Sequence, residues 1–408
     1  MVIFERLASG SHPQVRRVRA TAAEPDFDVP WAVTERERVG VAVCVAPGRV
    51  VTLASTVAWS GAEIVAIDHD RDLALLAVDE ELPVAELDDL PAIGDVVLLV
   101  GDGVGHGVTK EIGLTRYAHS QRHLLSFTVD PRQPLDAGGA AVMRNGKLTG
   151  LVMQPDDEQR VEVIPATMIR AFLDGIGKPP GVPALGVGFQ PLTNPALVER
   201  FGAGGILITS VDHEGTCDGI VEARDVLLSI DGVPVDADGL VPYAGQRLRH
   251  YALLGTKHAG DRVRLGLRRG DVEVTLAPWR PLVPTAPRDR APRYLVFGGL
   301  VFQPLTRDYL TTWDTWWNNA PKELLTAFYL GRRTAERHEL LVLTEVLEGP
   351  ATTGYDSFVN ETVVRIDGHA PRDLADLARV LDAARGPVTF EMSSGALLVC
   401  AGAGDRSL

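Results

Sequence analysis

The chain carries one stretch twice, as GFQPLTNPAL at 188–197 and as VFQPLTRDYL at 301–310. Each copy is followed by two further matching stretches. These are LITSVDHEG at 207–215 and VLLSIDGVPV at 226–235 in the first copy, and VLTEVLEGP at 342–350 and TVVRIDGHAP at 362–371 in the second. Matches in the same order indicate an internal repeat, so this part of the chain is predicted to form two homologous units.

Each unit is predicted to contain two strands, a third strand that ends in Ile-Asp-Gly, and then a helix-like stretch. The Ile-Asp-Gly segments, Ile230-Asp231-Gly232 and Ile366-Asp367-Gly368, are expected to end a strand in a tight turn. The second copy is longer, because TTWDTWWNNAPKELLTAFYLGRRTAERHE at 311–339 separates its first two matching stretches. This segment is called the Trp-rich insert below.

Short β-branched runs separated by Gly, Asp and Pro fill the first 165 residues, which predicts a β-barrel or a sandwich. The first helix is expected at 165–177. The Pro- and Gly-rich segments KPPGVPALG after it and RPLVPTAPRDRAP at 280–292 are predicted linkers. Three domains are therefore expected, at 1–177, 184–283 and 293–408.

The formal net charge is −14, with 45% apolar and 23% charged residues. Nucleic acid and anionic membranes bind basic surfaces, so neither is an expected partner. No stretch is typical of a membrane span or a signal peptide. Cys44, Cys217 and Cys400 are too few and too far apart for a disulfide framework or a metal motif. A cytoplasmic location and no cofactor are therefore expected.

The repeated unit resembles the PDZ fold, on the stretches ALGVGFQPL, VLLSIDGVPV and GDRVRLGLRRGDVEVTLA of the first copy. The resemblance implies that an extended peptide binds as an added strand and that backbone amides at a tight turn hold its C-terminal carboxylate. The residues implied are Leu185, Gly186, Val187, Gly188 and Phe189 with a pocket near Leu248 and Ala252 in the first copy, and Gly298, Gly299 and Leu300 in the second. The alternative is that these glycines form ordinary hairpin turns. The Trp-rich insert could cover the second groove, contact another subunit or pack on its own domain.

Together with the β-rich N-terminal part, these units resemble HtrA/Deg proteases, in particular the plant Deg branch with two PDZ domains. PDFDVPW, DLALLAV, DLPAIGDVVLLVG, DGLVPYAGQR and YLVFGGLVFQPLT occur in the order of that family. The resemblance implies a mostly β protein: a trypsin-like double β-barrel followed by two PDZ-like α+β domains. It also implies a homo-oligomer.

Such a protease needs a serine nucleophile, a histidine base and an aspartate that orients the histidine. By the resemblance, Ser55 occupies the histidine position and Asp72 the aspartate position. Ala137 occupies the nucleophile position, and Leu135 replaces the glycine of the oxyanion hole. Loss of the serine or the histidine alone costs about 10⁶-fold in such enzymes, so catalysis is not expected here.

Other groups that could carry chemistry are expected to be structural. Three histidines are expected on surface loops without a serine elbow near them: His106, His119 and His123. The cluster Asp68-His69-Asp70 is expected to be solvated and not to bind a metal ion. GDGVGHG at 101–107 lacks the third glycine of a dinucleotide loop and precedes a strand-like stretch, so it is expected to be a barrel turn.

The sequence therefore predicts a pseudoprotease that binds protein or peptide C-termini through its first PDZ-like domain. Two alternatives stay open. The first is an active serine endopeptidase of the HtrA/Deg family, and the second is a chaperone-like holdase for unfolded protein.

Overall fold

The structure, a computed structural model, describes residues 1–7, 12–117, 120–132, 139–153, 161–285 and 290–400. The chain divides into two compact units. One comprises Met1–Ala23 and Glu35–Trp279, and the other comprises Glu24–Thr34 and Arg280–Leu408. The boundary expected at 177–184 therefore lies inside a single compact unit. Strands predominate in both units, which confirms the mostly β fold class.

The first unit begins with a six-stranded sheet in the order β1-β2-β3-β4-β6-β5. Its elements are β1 Val2–Arg6, β2 Val15–Pro25, β3 Val33–Ala46, β4 Arg49–Leu53, the short helix α1 Ala54–Val57, β5 Ile64–Asp68 and β6 Leu73–Ala77. Its apolar side chains are packed in a cluster that includes Val18, Val50 and Leu76. Among the described residues the two edge strands, β1 and β5, do not pair with each other, so these six strands form an open sheet.

Six further strands form the closed barrel, in the order β10-β11-β12-β9-β8-β7. They are β7 Val96–Val100, β8 Val104–Arg116, β9 His123–Pro131, β10 Ala141–Arg144, β11 Lys147–Val152 and β12 Val161–Pro165. Closure of the barrel pairs the backbone N–H and C=O groups that the edge strands of an open sheet would leave exposed. Residues 101–103 form the turn between β7 and β8, and a strand follows them. The barrel-turn prediction for GDGVGHG is thus confirmed for its first half, and the rest of that stretch belongs to β8.

Helix α2, Ala166–Asp174, follows the barrel and confirms the helix expected at 165–177. The segment after it is packed, although the sequence predicts a linker there. Val182 is buried, and its N–H donates a hydrogen bond to Asp70 Oδ2 at 2.9 Å. Buried apolar contact and a buried hydrogen bond hold this connection against the barrel.

The first PDZ-like domain contains a sheet in the order β13-β14-β15-β19-β20. Its elements are β13 Val187–Pro191, α3 Pro195–Phe201, β14 Ile206–Val211, β15 Val226–Ile230, β16 Val233–Pro234, β17 Leu240–Tyr243, β18 Gln246–Arg249, a 3₁₀ helix at His250–Leu254, β19 Arg262–Leu267 and β20 Gly270–Thr275. The turn after β15 is formed by Asp231 and Gly232, with φ of 49° and 81°. Two left-handed residues in sequence suit a tight hairpin, which confirms the turn expected from Ile-Asp-Gly.

The second compact unit repeats this plan. Its elements are β21 Leu295–Phe297, β22 Leu300–Pro304, α4 Arg307–Leu310, α5 Trp316–Asn319, α6 Lys322–Leu330, β23 Leu341–Val346, β24 Val363–Ile366, α7 Leu374–Ala383, β25 Val388–Met392 and β26 Leu397–Cys400. They form the three-stranded sheets β21-β22-β23 and β24-β25-β26. Asp367 and Gly368 again have positive φ, at 47° and 83°.

The Trp-rich insert packs on its own domain. Leu324 and Leu325 of α6 are buried in a cluster with Leu305 and Leu340, and Trp313 and Trp316 pack against that cluster. Of the three roles that the sequence left open, this structure favours packing on the domain itself.

None of the helices within the described ranges combines the length and the hydropathy needed to cross a bilayer.

A buried arginine connects the barrel to the first PDZ-like domain. The Arg71 side chain is 1% exposed, and its Nη1 lies 2.5 Å from Asp68 Oδ2. Its Nη2 donates to the carbonyl oxygens of Gly255, at 2.9 Å, and Lys257, at 2.8 Å. A buried cation that bonds to two carbonyls of a remote loop holds that loop in place.

Arg71→Ala should lower the free energy of unfolding by about 3–5 kcal/mol, because it leaves the Asp68 carboxylate buried without its cation. Chemical denaturation of the full chain measures the loss. Arg262→Ala is the control: Arg262 pairs with Glu273 at 3.2 Å, but the side chain is 75% exposed, so the loss should stay below about 1 kcal/mol. Equal losses for the two variants would contradict this account.

Candidate functional site

Ser55 and Asp72 lie together at one end of the first sheet. Strand β4 ends at Leu53, and Leu53 pairs with Leu73, the first residue of β6. The pairing places Ser55, in α1, beside Asp72, which precedes β6. Both residues are buried, with exposures of 4% and 1%.

Two hydrogen bonds join this pair. The Ser55 N–H donates to Asp72 Oδ1 at 2.6 Å, and the Ser55 hydroxyl donates to Oδ2 at 2.9 Å. Asp72 also accepts a bond at its carbonyl oxygen from the N–H of Ala54, at 3.0 Å. The carboxylate therefore holds the first turn of α1 through the backbone N–H and the hydroxyl of Ser55. Asp72 directly precedes β6, which begins at Leu73.

The positions expected for the nucleophile and the oxyanion hole, Ala137 and Leu135, lie outside the described residues. The chain resumes at Gly139, which has a φ of 72°, and β10 begins two residues later.

The acids near His69 differ from the sequence expectation, which was a solvated cluster. Asp68 is buried and pairs with Arg71. Asp70 accepts hydrogen bonds from Ser120 Oγ at 3.0 Å and from the N–H of Val182. Burial, reinforced by Asp68, raises the pKa of Asp70. These carboxylates are used as hydrogen-bond acceptors inside the unit, because the segment packs under the first PDZ-like domain instead of facing water.

The histidines expected in loops are placed differently as well. His106 lies in β8 and is exposed, and His123 begins β9. His119 lies outside the described residues. Burial lowers the pKa of His123.

Four of the seven peptide-binding residues expected in the first PDZ-like domain line a small cavity, and Gly188, between Val187 and Phe189, is not among them. Strand β13 pairs only with β14 among the described strands, so its other edge is open. The 3₁₀ helix at His250–Leu254 faces that edge, and the rings of Phe189 and His250 have centroids 4.6 Å apart. The cavity measures about 180 Å³ and is bounded by Leu185, Gly186, Val187 and Phe189, among others.

The turn before β13 contains a residue in the left-handed conformation. Gly186 has a φ of 67°, a region that residues with a Cβ rarely adopt. Val187 lies opposite Val211, and the bond from the Asp212 N–H to the Gly186 oxygen, at 2.8 Å, is made on the β14 side. A glycine at this position is therefore explained by the backbone, and the role of the turn in carboxylate binding stays a prediction.

Leu248 and Ala252 do not line the cavity, although the sequence places the pocket near them. Both are buried in the hydrophobic cluster of the barrel. Tyr251 and Leu254, one to two positions away in the 3₁₀ helix, bound the cavity instead. A short 3₁₀ helix presents different positions to the groove than the regular helix that the PDZ resemblance implies.

Several residues that no sequence pattern indicates also bound this cavity, among them Gln121, Arg122 and His123 from the barrel, and Trp279. The Arg122 guanidinium lies over the Trp279 ring, 5.1 Å from its centroid. No local pattern marks Arg122 as a groove residue, because it is more than 60 positions away from β13 in the sequence.

In the second PDZ-like domain the corresponding groove is filled by the chain itself. β21 pairs antiparallel with β22 through Leu295–Phe302 and Phe297–Leu300. Leu295 and Phe297 pack against the cluster that contains Leu377 of α7. β21 thus occupies the edge of β22 that corresponds to the open edge of β13.

The peptide-binding role expected for Gly298, Gly299 and Leu300 is therefore not supported. Gly298 and Gly299, with φ of 58° and 84°, form the hairpin turn between β21 and β22, and Leu300 begins β22. The alternative stated for these glycines, an ordinary hairpin turn, describes them.

Comparisons with known proteins agree with this architecture. A family model described as PDZ domain matches residues 283–403. Protease Do-like 2, chloroplastic, of Arabidopsis thaliana is 28% identical over 411 residues, which cover 90% of this chain and 67% of the relative. Putative protease Do-like 3, mitochondrial, of the same plant is 25% identical and is covered to 72%, with 90% of this chain aligned.

Among solved structures, "HtrA-type protease AlgW with tripeptide" superposes with a TM-score of 0.50 at 20% identity. The match covers 67% of this chain and 97% of that one, and it shows a likeness of fold. The molecule is thus a trypsin-like protease fold combined with PDZ domains. Over 90% of its length the chain is similar to Do-like proteases, in agreement with the HtrA/Deg resemblance of the sequence, and residues 283–403 match the PDZ domain model.

Ser55→Ala should lower the free energy of unfolding by about 1–3 kcal/mol, because the buried Asp72 carboxylate loses a hydroxyl donor. Ser60→Ala is a matched control, since the buried Ser60 hydroxyl donates to a neutral carbonyl, that of Val57, at 2.6 Å. Urea denaturation of both variants should show the larger loss for Ser55. A Ser55→Ala variant as stable as the parent protein would mean that the pair does not hold α1.

Proposed function

We propose that this protein is a non-catalytic member of the HtrA/Deg family that binds the C-termini of peptides or proteins at its first PDZ-like domain. The observation that carries the proposal is the buried Ser55–Asp72 pair. In an active site of this type the residue bonded to the aspartate takes a proton from the nucleophile.

A serine hydroxyl cannot fill that role. It donates its own proton to Asp72, and it has no basic nitrogen that would accept one near neutral pH. Ala137, at the position that the family resemblance gives to the nucleophile, has no hydroxyl either. We therefore propose that this protein has neither the base nor the nucleophile of a serine protease. The name protease belongs to the relatives and is not carried over to this chain.

Peptide binding is proposed for the first PDZ-like domain because the edge of β13 is open there. An added strand would satisfy main-chain groups of β13, and the cavity beside Leu185 and Val187 would take an apolar terminal side chain. The second PDZ-like domain already carries β21 at the matching edge. We propose that it contributes to assembly of a homo-oligomer and not to peptide capture. A cytoplasmic location stays a prediction from the low cysteine count.

The proposal predicts that fluorophosphonate probes leave the protein unlabelled at every pH tested. Ala137→Ser alone should also stay unlabelled, because Ser55 cannot take the proton of the new hydroxyl. Intact-mass measurement detects the adduct, and a competent trypsin-type protease serves as the positive control. Stoichiometric labelling of the barrel, or clearance of unfolded casein, would establish the active endopeptidase instead.

Peptides with a free C-terminus should bind the full chain saturably, and amidation of the same peptides should weaken binding, because the nest at Gly186 loses its anion. Fluorescence anisotropy with a C-terminal peptide library measures both. Gly186→Val should abolish binding, since a β-branched residue is strained at a φ of 67° and crowds the turn. Suppression of aggregation of a heated client, without saturable peptide binding, would favour the holdase.

A further inference from the structure

We infer that Arg122, a residue of the barrel, binds the terminal carboxylate of the peptide held in the first PDZ-like groove. The inference rests on the proposed peptide binding and adds a residue that lies outside the PDZ-like domain. It makes the recognition site composite: β13 and its turn supply amides and an apolar pocket, and the start of β9 supplies the cation.

Arg122 lies in the wall of the proposed peptide groove. Arg122 bounds the same cavity as Leu185, Gly186 and Val187, the residues of the proposed amide nest. It immediately precedes β9, and its backbone N–H donates to Ser120 Oγ at 2.9 Å. The Arg122 backbone is therefore anchored in the barrel while its side chain reaches the groove of the next domain.

The guanidinium of Arg122 makes few hydrogen bonds to described residues. Its Nη2 makes one long contact, 3.3 Å, to the carbonyl oxygen of Pro183. Its Nε is buried and has no acceptor among the described residues. A guanidinium has five N–H donors, and one that uses so few leaves donors for a further anion. The ring of Trp279 supports the cation from its face without consuming a donor.

The charges around the cavity favour Arg122 over the other basic groups there. Burial lowers the pKa of His250 to about 4, so that this imidazole is neutral at pH 7. Burial also lowers the pKa of His123, with Arg116 and Arg122 adding to the effect. Asp212 is an acidic residue of the same cavity wall. Among the described residues that bound the cavity, Arg122 is therefore the cation that a carboxylate would meet at neutral pH.

Asp70 lies near enough to interact with the Arg122 charge, and burial lowers the pKa of Arg122 despite it. The Asp70 oxygens already accept bonds from Ser120 and Val182. Asp70 thus compensates Arg122 in part through space and does not saturate its donors. The cavity volume, about 180 Å³, corresponds to roughly six water molecules, which suits one aliphatic side chain with its carboxylate.

The test uses the full chain and pairs of fluorescent peptides that end in valine, alanine or phenylalanine, each as a free acid and as an amide. In the parent protein the acid should bind more tightly than its amide. Arg122→Gln should reduce the affinity for the acids by about 10- to 100-fold, the usual effect of one charge-assisted hydrogen bond. The affinity for the amides should stay within about twofold, so the acid-to-amide ratio collapses.

Arg116→Gln is the matched control, since Arg116 is exposed at the end of β8 and does not bound the cavity. It should leave the acid-to-amide ratio unchanged. Arg122→Lys keeps the charge without the planar fork and should retain part of the preference. Arg122→Gln and Arg122→Lys should both unfold at the same temperature as the parent protein. Equal unfolding temperatures show that a loss of binding in Arg122→Gln does not come from misfolding.

The outcomes separate the two proposals. If the parent protein prefers acids and Arg122→Gln keeps that preference, the nest alone holds the carboxylate and this inference is wrong, whereas the proposed function stands. If the parent binds acids and amides equally, carboxylate recognition is wrong as a whole. If the parent binds none of the peptides, the proposed function fails, and this inference fails with it.

Discussion

The ion pair between Asp68 and Arg71 is the interaction on which the first compact unit depends. Arg71 reaches the carbonyls of Gly255 and Lys257, nearly two hundred positions later in the chain. An arginine at 1% exposure needs a compensating charge, which Asp68 supplies, while the two carbonyls accept hydrogen bonds from its Nη2. The loop that follows the 3₁₀ helix of the first PDZ-like domain is thereby tied to the barrel.

The same five residues, 68–72, connect both candidate sites. Asp72, next to Arg71, holds Ser55 at the start of α1. Asp70, on its other side, holds the connection at Val182 and interacts with the charge of Arg122. In a chain without catalysis, this segment would keep a structural purpose: it positions the domain that carries the peptide groove and the barrel residue that borders it.

The two PDZ-like copies show how one sequence pattern can lead to different binding surfaces. Both copies form the strand that contains Phe-Gln-Pro, and both turn at Asp-Gly with positive φ. The edge of β13 is open beside the 3₁₀ helix, whereas the matching edge of β22 pairs with β21. The difference comes from the residues just before the repeat, where Gly298-Gly299 allows a hairpin that folds the chain back into its own groove.

The sequence by itself determined the local features: the strands, the repeated unit, the Asp-Gly turns and the helix before Gly175. These follow from side-chain periodicity and from the backbone freedom of glycine, which act over a few residues. Only the tertiary structure decided that Arg122 meets the Leu185 turn, that Leu248 and Ala252 belong to the barrel core, that β21 fills the second groove and that Asp68, beside His69, is buried. Each of these depends on contacts between segments far apart in the chain, and no local pattern encodes which remote surface a side chain will meet.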